Sequence, residues 1–451
     1  MIPTPPACRP CDGAREICAE IGGARVAASI DSIGPNNRLR RALTKIRSGQ
    51  PFTVAALGGS ASLGHGLPYG PYGTPDRDPG DAPTNMHRII FEYLHSLAPK
   101  PREIVFGRSG KKEDKNGFIN GSKAGTGSGY FAYCFREHIP EDVDIIIVEL
   151  GINDELLLQN LDSYEFMLRG VLDLPQKPAI IYAHIFNLLF NTMASGGDLH
   201  RGLNRYYDIP TVSLRDALLP TVLEDNTLVE KMFARNRGTP GDGDYDALDL
   251  RHISVYGHRI IGQLVSAYIG MQLCEMEKDT AEGEGIPSRS IEARYPVGPI
   301  PRMRMMQKWD PDTRLDKLNP KCFSMDSKAH PLVPKAQSGW RKWNWKEKWY
   351  WIATEPGSTI SFEFATVLGE VQLHFLRSQI FGLGNLECWV DNNKHLRMGL
   401  QGWWHLEFNI AQSGTIKGIS PGPHVLNCKL LTETNDPGGG HEFRLIGLTS
   451  V

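Results

Sequence analysis

Ser60 stands directly after two glycines at the end of an apolar run, FTVAALGGSASLGHG, residues 52–66. The run reads as a buried strand. Gly58 and Gly59 let the backbone turn sharply and clear space around the serine. A serine there sits at the carboxyl end of a strand, where open α/β sheets place their ligands. Gly-Gly-Ser alone is equally an ordinary loop, but three later segments supply what a nucleophilic serine needs. Asp249-Leu-Arg-His252 offers a carboxylate that can hold one imidazole nitrogen while the other faces the serine. Gly151-Ile-Asn153-Asp154 follows the most apolar strand, so the Asn153 carboxamide can point into the same crevice. Asn120-Gly-Ser-Lys-Ala-Gly-Thr-Gly127-Ser128 is a glycine-rich loop before a helical stretch, able to aim backbone N–H groups at a developing negative charge.

Each segment has a plainer reading. Asn153 and Asp154 suit a turn or a helix cap. The glycine loop suits a flexible connection, and Asn120-Gly-Ser also matches a glycosylation acceptor. A lone D-x-x-H is common; its place in a loop just before the last helix of an α/β region gives it weight. His184 reads as a structural histidine at a strand end, and His65 as a neighbour of the site. Ser62 is a second serine beyond the sharp turn. Asp242-x-Asp244-x-Asp246 starts like a calcium loop, but Ala247 stands where glycine is needed and Ile253 where the bidentate Glu belongs. It reads as a solvated acidic loop, and no metal or cofactor is expected.

The elements that must hold these residues follow from periodicity. Residues 1–50 read as an N-terminal arm with one basic helix near 37–48. From 51 to 277 strands alternate with helices: strands at 52–57, 103–106, 143–150, 179–185 and 211–214, and helices at 84–94, 129–138, 155–172 and 256–274, the first capped by Thr84. That alternation predicts an α/β domain with a parallel sheet and helices on both faces. Residues 278–319 are rich in Pro, Arg, Gly and Glu and read as a linker. Its apolar residues, including Ile291, Tyr295, Met303, Met305 and Trp309, predict that it packs on the domains. Residues 320–451 hold strand-like runs at 359–365, 370–376, 386–390, 405–410, 424–431 and 443–448, the pattern of a C-terminal β-sandwich.

The four chemical blocks together resemble the SGNH hydrolase superfamily, the GDSL-type esterases and lipases. They occur in that family's order over residues 50–275. The resemblance implies a three-layer α/β fold with Ser60 as nucleophile, His252 as general base and Asp249 as its orienting acid. It implies an oxyanion hole made of the Ser60 N–H, the Gly127 N–H and the Asn153 side chain; Gly125 competes with Gly127, which is preferred because it lies closer to the helical stretch. Gly59 stands in place of the usual Asp and Ala61 in place of the usual Leu, a departure from the GDSL lipase pattern. The glycine block together with the later β-rich region looks like a fungal or algal type, usually secreted or anchored. The function implied is a serine ester hydrolase, an acetyl esterase on decorated carbohydrate. The alternatives are an O-acyltransferase using the same triad and a glycan-binding or assembly protein with an inactive hydrolase domain. A glycosidase would want paired carboxylates, and only Asp249 and Asp154 stand near the site.

Composition narrows the partners. Lys plus Arg total 49 against 51 for Asp plus Glu, so nothing suggests nucleic acid. No stretch is long and apolar enough to be a membrane span, and the first twenty residues lack a signal peptide's apolar segment. This fits an intracellular chain or one that starts after a removed leader or anchor. The 8 cysteines suit disulfides better than zinc, because Cys8-x-x-Cys11 has no second half at metal spacing; Cys388–Cys428 is the expected pair. All 9 tryptophans lie at or after Trp309. They fit either a sugar-binding surface or a sandwich core.

Overall fold

The computed structural model describes residues 8–68, 79–107, 114–189, 192–236, 246–282, 290–312, 320–345, 348–406 and 408–451. The chain forms two compact units. Met1–Lys123, Ile139–Leu161 and Leu168–Trp309 make the first; Ala124–His138, Asp162–Met167 and Asp310–Val451 make the second.

The first unit begins with helices α1 (Arg15–Ile21), α2 (Gly23–Ala28) and α3 (Asn37–Arg47). Leu39, Leu43 and Ile46 recur at helical spacing on α3 and are buried, while Arg and Lys take its other face. With Ile17, Ile21 and Val26 they enter the same core as the sheet, so residues 15–47 pack as part of this unit. Cys8–Cys274 and Cys11–Cys18 fasten the segment.

The sheet is built from β1 (Thr53–Gly58), β2 (Ile104–Phe106), β3 (Asn116–Asn120), β4 (Ile145–Glu149), β5 (Ala179–His184) and β6 (Thr211–Ser213). Their order is β2-β3-β1-β4-β5-β6, and every pairing is parallel. β1, β4 and β5 are buried along their whole lengths, which explains their continuous apolar runs. β3, NGFIN, carries no apolar run and escaped the sequence reading. It is held by partners instead: the Phe52 N–H donates to Asn116 Oδ1 at 3.2 Å.

Flanking helices include α4 (Ser60–Leu63), α5 (Met86–Ser96), α6 (Ser128–Cys134), α7 (Leu158–Leu172), α8 (Gly196–Tyr206), α9 (Leu214–Glu224), α10 (Asn226–Met232) and α11 (Val255–Glu282). The expected Thr84 cap is corrected: Asn85 caps α5, its side chain accepting from the His87 N–H. Helix α11 runs eight residues past the expected end, because EMEKDTAE consists mostly of good helix formers. Beyond it, Tyr295 is buried while Met305 and Trp309 are exposed, so the apolar residues of this segment do not all pack. A further correction concerns Asp249 and His252. They lie on a strand, β8 (Leu248–Ile253), paired antiparallel with β7 (Phe233–Arg235), where a loop was expected. Leu248 and Leu250 pack against the core, a strand alternation that the motif spacing had hidden.

The second unit is a sandwich of two antiparallel sheets. Its strands are β9 (Lys321–Ser324), β10 (Ala336–Ser338), β11 (Arg341–Trp345), β12 (Lys348–Ala353), β13 (Thr359–Thr366), β14 (Glu370–Arg377), β15 (Asn385–Val390), β16 (Asn393–Gln401), β17 (Ile410–Lys417), β18 (Gly422–Leu430) and β19 (Phe443–Ser450). One sheet runs β10-β13-β18-β15-β16; the other runs β11-β12-β19-β14-β17, with β9 added at β19. Ile360, Phe362 and Phe364 alternate inward along β13 and meet Phe375, Phe443 and Leu445. The strand expected at 405–410 begins only at Ile410; its sequence IAQSGTIK is weakly strand-like, and pairing with β14 along its length decides it. β14 is buried on both faces, because α6 covers its outer side: Tyr130 meets His374 and Tyr133 receives a hydrogen bond from Gln372. Cys134–Cys322 ties α6 to β9, and Cys388–Cys428 joins directly opposed residues of β15 and β18. All eight cysteines are thus paired. Among the described residues no helix is long and apolar enough to cross a membrane.

Candidate active site

The turn after β1 delivers Ser60 as the first residue of α4, with Gly59 extended before it. The chain then loops back, the His65 N–H donating to the Ser60 carbonyl at 3.0 Å. β8 brings the other two groups, from nearly two hundred residues away. Ser60 Oγ lies 2.8 Å from His252 Nε2, and His252 Nδ1 lies 2.6 Å from Asp249 Oδ2. Asp249 Oδ1 also accepts from the Arg251 N–H at 3.0 Å, which fixes the carboxylate. Burial acts to raise the Asp249 carboxyl, but the hydrogen bonds from His252 and Arg251 outweigh it and hold it below its ordinary value. It is therefore an anion at neutral pH, aimed at an imidazole whose other nitrogen meets a hydroxyl. In that geometry Nδ1–H donates to the carboxylate and Nε2 can take a proton from the serine.

Both glycines of the turn have a steric reason. A Cβ on Gly59 would run into the Asn153 carboxamide, which therefore packs on the backbone next to Ser60. The turn has no room for a side chain at this position. A Cβ on Gly58 would strike the Ser62 side chain and the Glu149 carbonyl. Asn153 does not cap α7, whose N-cap is Leu157. Asp154 is not a helix cap either. It is buried with its Oδ2 3.0 Å from His200 Nε2, and its carbonyl accepts from the Gly196 N–H at 2.7 Å.

The remaining candidates separate. Ser62 is fully buried and its hydroxyl donates to Glu149 Oε2 at 2.9 Å, so it is no second nucleophile. The carbonyl of Ser62 accepts from the side chains of Asn85 and Asn120, each at 2.9 Å. The Asn120 amide nitrogen is thus turned inward, toward the Ser60 turn. The His65 ring lies 5.2 Å from that of His252, beside the site as expected. His184 is fully buried at the end of β5, 3.3 Å from Ser213 Oγ, and burial pushes it down to about 3. Burial lowers His258 and His87 to about 3 as well. Burial also raises Glu149, to about 7, with Asp154 adding to the rise and hydrogen bonds from Ser62 and Ile152 opposing it. Sequence reasoning missed Glu149; an acid inside an otherwise apolar strand was the available signal. The acidic loop at 242–246 lies almost wholly outside the described residues. Among the described residues no group of His, Cys, Asp and Glu could hold a metal ion.

Gly127 belongs to the second unit, where it precedes α6 in an extended conformation. Two residues earlier, the Gly125 carbonyl accepts from the Ala411 N–H of β17 at 2.7 Å. Of the tryptophans, Trp340, Trp351 and Trp404 are buried, Trp309 and Trp349 exposed, and Trp343, Trp345, Trp389 and Trp403 half-buried. The Arg444 guanidinium lies 4.7 Å from the Trp343 ring centre and 4.2 Å from that of Phe381, so it already occupies one face of Trp343.

No family model matches the chain. A search of curated proteins likewise finds no match. Among solved structures, it is similar to a two-domain esterase (CEX) active on acetylated mannans, co-crystallised with mannopentaose. Identity is 17%, the TM-score is 0.59, and the match covers 94% of this chain and 97% of the other. A second structure of a two-domain esterase active on acetylated mannans matches at 16% identity and TM-score 0.59, covering 94% of this chain and 98% of that one. At this identity the likeness establishes the fold: a parallel-sheet α/β unit followed by a β-sandwich.

Proposed function

We propose that the chain is a serine carbohydrate esterase of the SGNH type that removes acetyl groups from a polysaccharide. One observation carries the reading: a serine at a strand-end turn meets an imidazole at 2.8 Å, and that imidazole meets a carboxylate at 2.6 Å. The mannan esterases that share the two-unit fold support the choice of substrate class. The half-buried tryptophans of the sandwich supply aromatic edges suited to sugars. Four disulfides support an oxidising compartment and hence secretion. The catalytic domain is assigned to residues 51–277 with the N-terminal helices packed into its core, and the sandwich to 320–451 together with residues 124–138 and 162–167.

In the reaction, Ser60 Oγ attacks the acetyl carbonyl carbon while His252 Nε2 takes its proton. Asp249 holds the ring in the tautomer that makes this possible and stabilises the imidazolium. The oxyanion is bound by the Ser60 N–H and the Asn153 Nδ2. Collapse breaks the ester C–O bond, and His252 returns the proton to the departing sugar hydroxyl. Water, deprotonated by His252, then attacks the acyl-enzyme; acetate leaves and Ser60 is regenerated.

The test compares wild type with Ser60→Ala on an aryl acetate and on acetylated polysaccharides, with and without an added sugar acceptor. Wild type should release acetate, and the folded variant should lose several powers of ten in kcat, as triad removal does. Near-normal turnover by a folded Ser60→Ala would remove the nucleophile assignment. Acylated acceptor in place of free acetate would make the enzyme a transferase.

A further inference from the structure

The reaction proposed above gives Glu149 no part, yet this carboxyl lies between two of the turns that the reaction needs. Glu149 is the last residue of β4 and is fully buried. Its Oε2 accepts the Ser62 hydroxyl at 2.9 Å, and the chain runs from it directly into the turn that the Asn153 N–H closes on the Leu150 carbonyl at 3.2 Å. Its Oε1 has no hydrogen-bond partner among the described residues. Burying a carboxyl with one oxygen unsatisfied is costly, and an apolar residue of similar size would avoid that cost. The position therefore calls for a reason beyond packing.

The reason lies in what this residue joins. Ser62 is two residues after Ser60 on α4, a helix of only 4 residues. One turn of helix has almost no intrinsic stability, so its orientation must come from ties to the rest of the molecule. Asn85 and Asn120 hold the Ser62 carbonyl, and Glu149 holds its hydroxyl. Ile152 directly precedes Asn153, whose carboxamide packs on Gly59. One residue thus holds the turn that carries the nucleophile and opens the turn that carries Asn153.

We propose that Glu149 is a positioning residue that clamps the Ser60 turn to the Asn153 turn and so sets the distance between nucleophile and oxyanion donor. The proposal rests on the serine-esterase reading. Misplacing a reacting group by about 1 Å can cost about a hundredfold in rate. The clamp therefore acts on kcat, because Glu149 is fully buried and out of a substrate's reach.

The experiment measures kcat and KM on an aryl acetate, together with the rate at which a fluorophosphonate probe labels Ser60. The proteins are wild type, Ser60→Ala, Glu149→Ala, Glu149→Gln, Ser62→Ala and the Glu149→Ala/Ser62→Ala double variant. Glu149→Ala and Ser62→Ala should each lower kcat and labelling by about a hundredfold with KM little changed. Glu149→Gln, which keeps an acceptor oxygen for Ser62, should recover most of the loss. The double variant should be no worse than the poorer single one, because both break the same link. Full kcat in a folded Glu149→Ala, no recovery in Glu149→Gln, or additive losses would each overturn the clamp. If Glu149→Ala does not fold, Ser62→Ala decides, since it removes one oxygen atom from the same link; unchanged kcat and labelling there overturn the proposal. Labelling lost only in Ser60→Ala leaves the nucleophile standing while the clamp fails. A wild type that is not labelled at Ser60 overturns both.

Discussion

Ser60, His252 and Asp249 form a chain of two hydrogen bonds, and each bond sets the use of the next atom along. Asn153 is the residue whose role depends most on distance, because a donor helps only where charge develops. Its carboxamide packs on Gly59, and α7 takes its cap elsewhere. Asn153→Ala is therefore expected to lower kcat about 10²–10³-fold, the usual effect of losing one such donor, with little change in KM. Steady-state kinetics on an aryl acetate decide it; a loss confined to KM would make Asn153 a binding residue instead.

At the scale of elements, the sandwich depends on ties between strands distant in sequence. Cys388 and Cys428 face each other across β15 and β18 within its core and close a loop with a sequence separation of 40. Loop closure of this size stabilises by about 2–4 kcal/mol, mainly by restricting the unfolded chain. The Cys388→Ala/Cys428→Ala variant should lose about 2–4 kcal/mol of unfolding free energy, read as a lower denaturant midpoint. Peptide mapping of the unreduced wild type should recover the 388–428 pair. An unchanged midpoint, or free thiols in protein from an oxidising host, would count against the tie.

At the scale of the whole molecule, buried imidazoles set the response to acid. His87, His184 and His258 are each pushed by burial from an ordinary 6.5 to about 3. Between these values the unfolded chain binds protons that the folded chain refuses, so stability falls as pH drops from about 6.5 toward 3. The slope approaches about 1.4 kcal/mol per histidine per pH unit. Glu149 acts with the opposite sign: its folded value of about 7 lies above its ordinary 4.5, so its contribution is lost as pH rises through that window. Burial lowers His374 as well, to about 4, so four groups outweigh one, and the melting temperature should fall steadily between pH 6.5 and 4. A melting temperature that stays level or climbs over that range would contradict the assignment of these histidines as buried and neutral.

Sequence alone determined the α/β class and the sandwich, and it singled out the serine, histidine and aspartate that the fold brings into hydrogen-bonding contact. Those features are written locally: buried strands as continuous apolar runs, sandwich strands as alternation, and Ser60, Asn153, Asp249 and His252 as short blocks in a set order. Tertiary structure decided everything that depends on partners from elsewhere in the chain. β3 and β17 have weak strand sequences and exist because neighbours pair with them along their lengths. The N-terminal helices join the first core because a disulfide and an apolar stripe bring them there. Ser62 passed from spare nucleophile to anchor, and Asp154 to partner of His200, only once the opposing groups were in view. The role of Glu149 was invisible for the same reason. A single acid in an apolar strand marks the position but not its partner, because a hydrogen bond between residues 87 positions apart leaves no local trace.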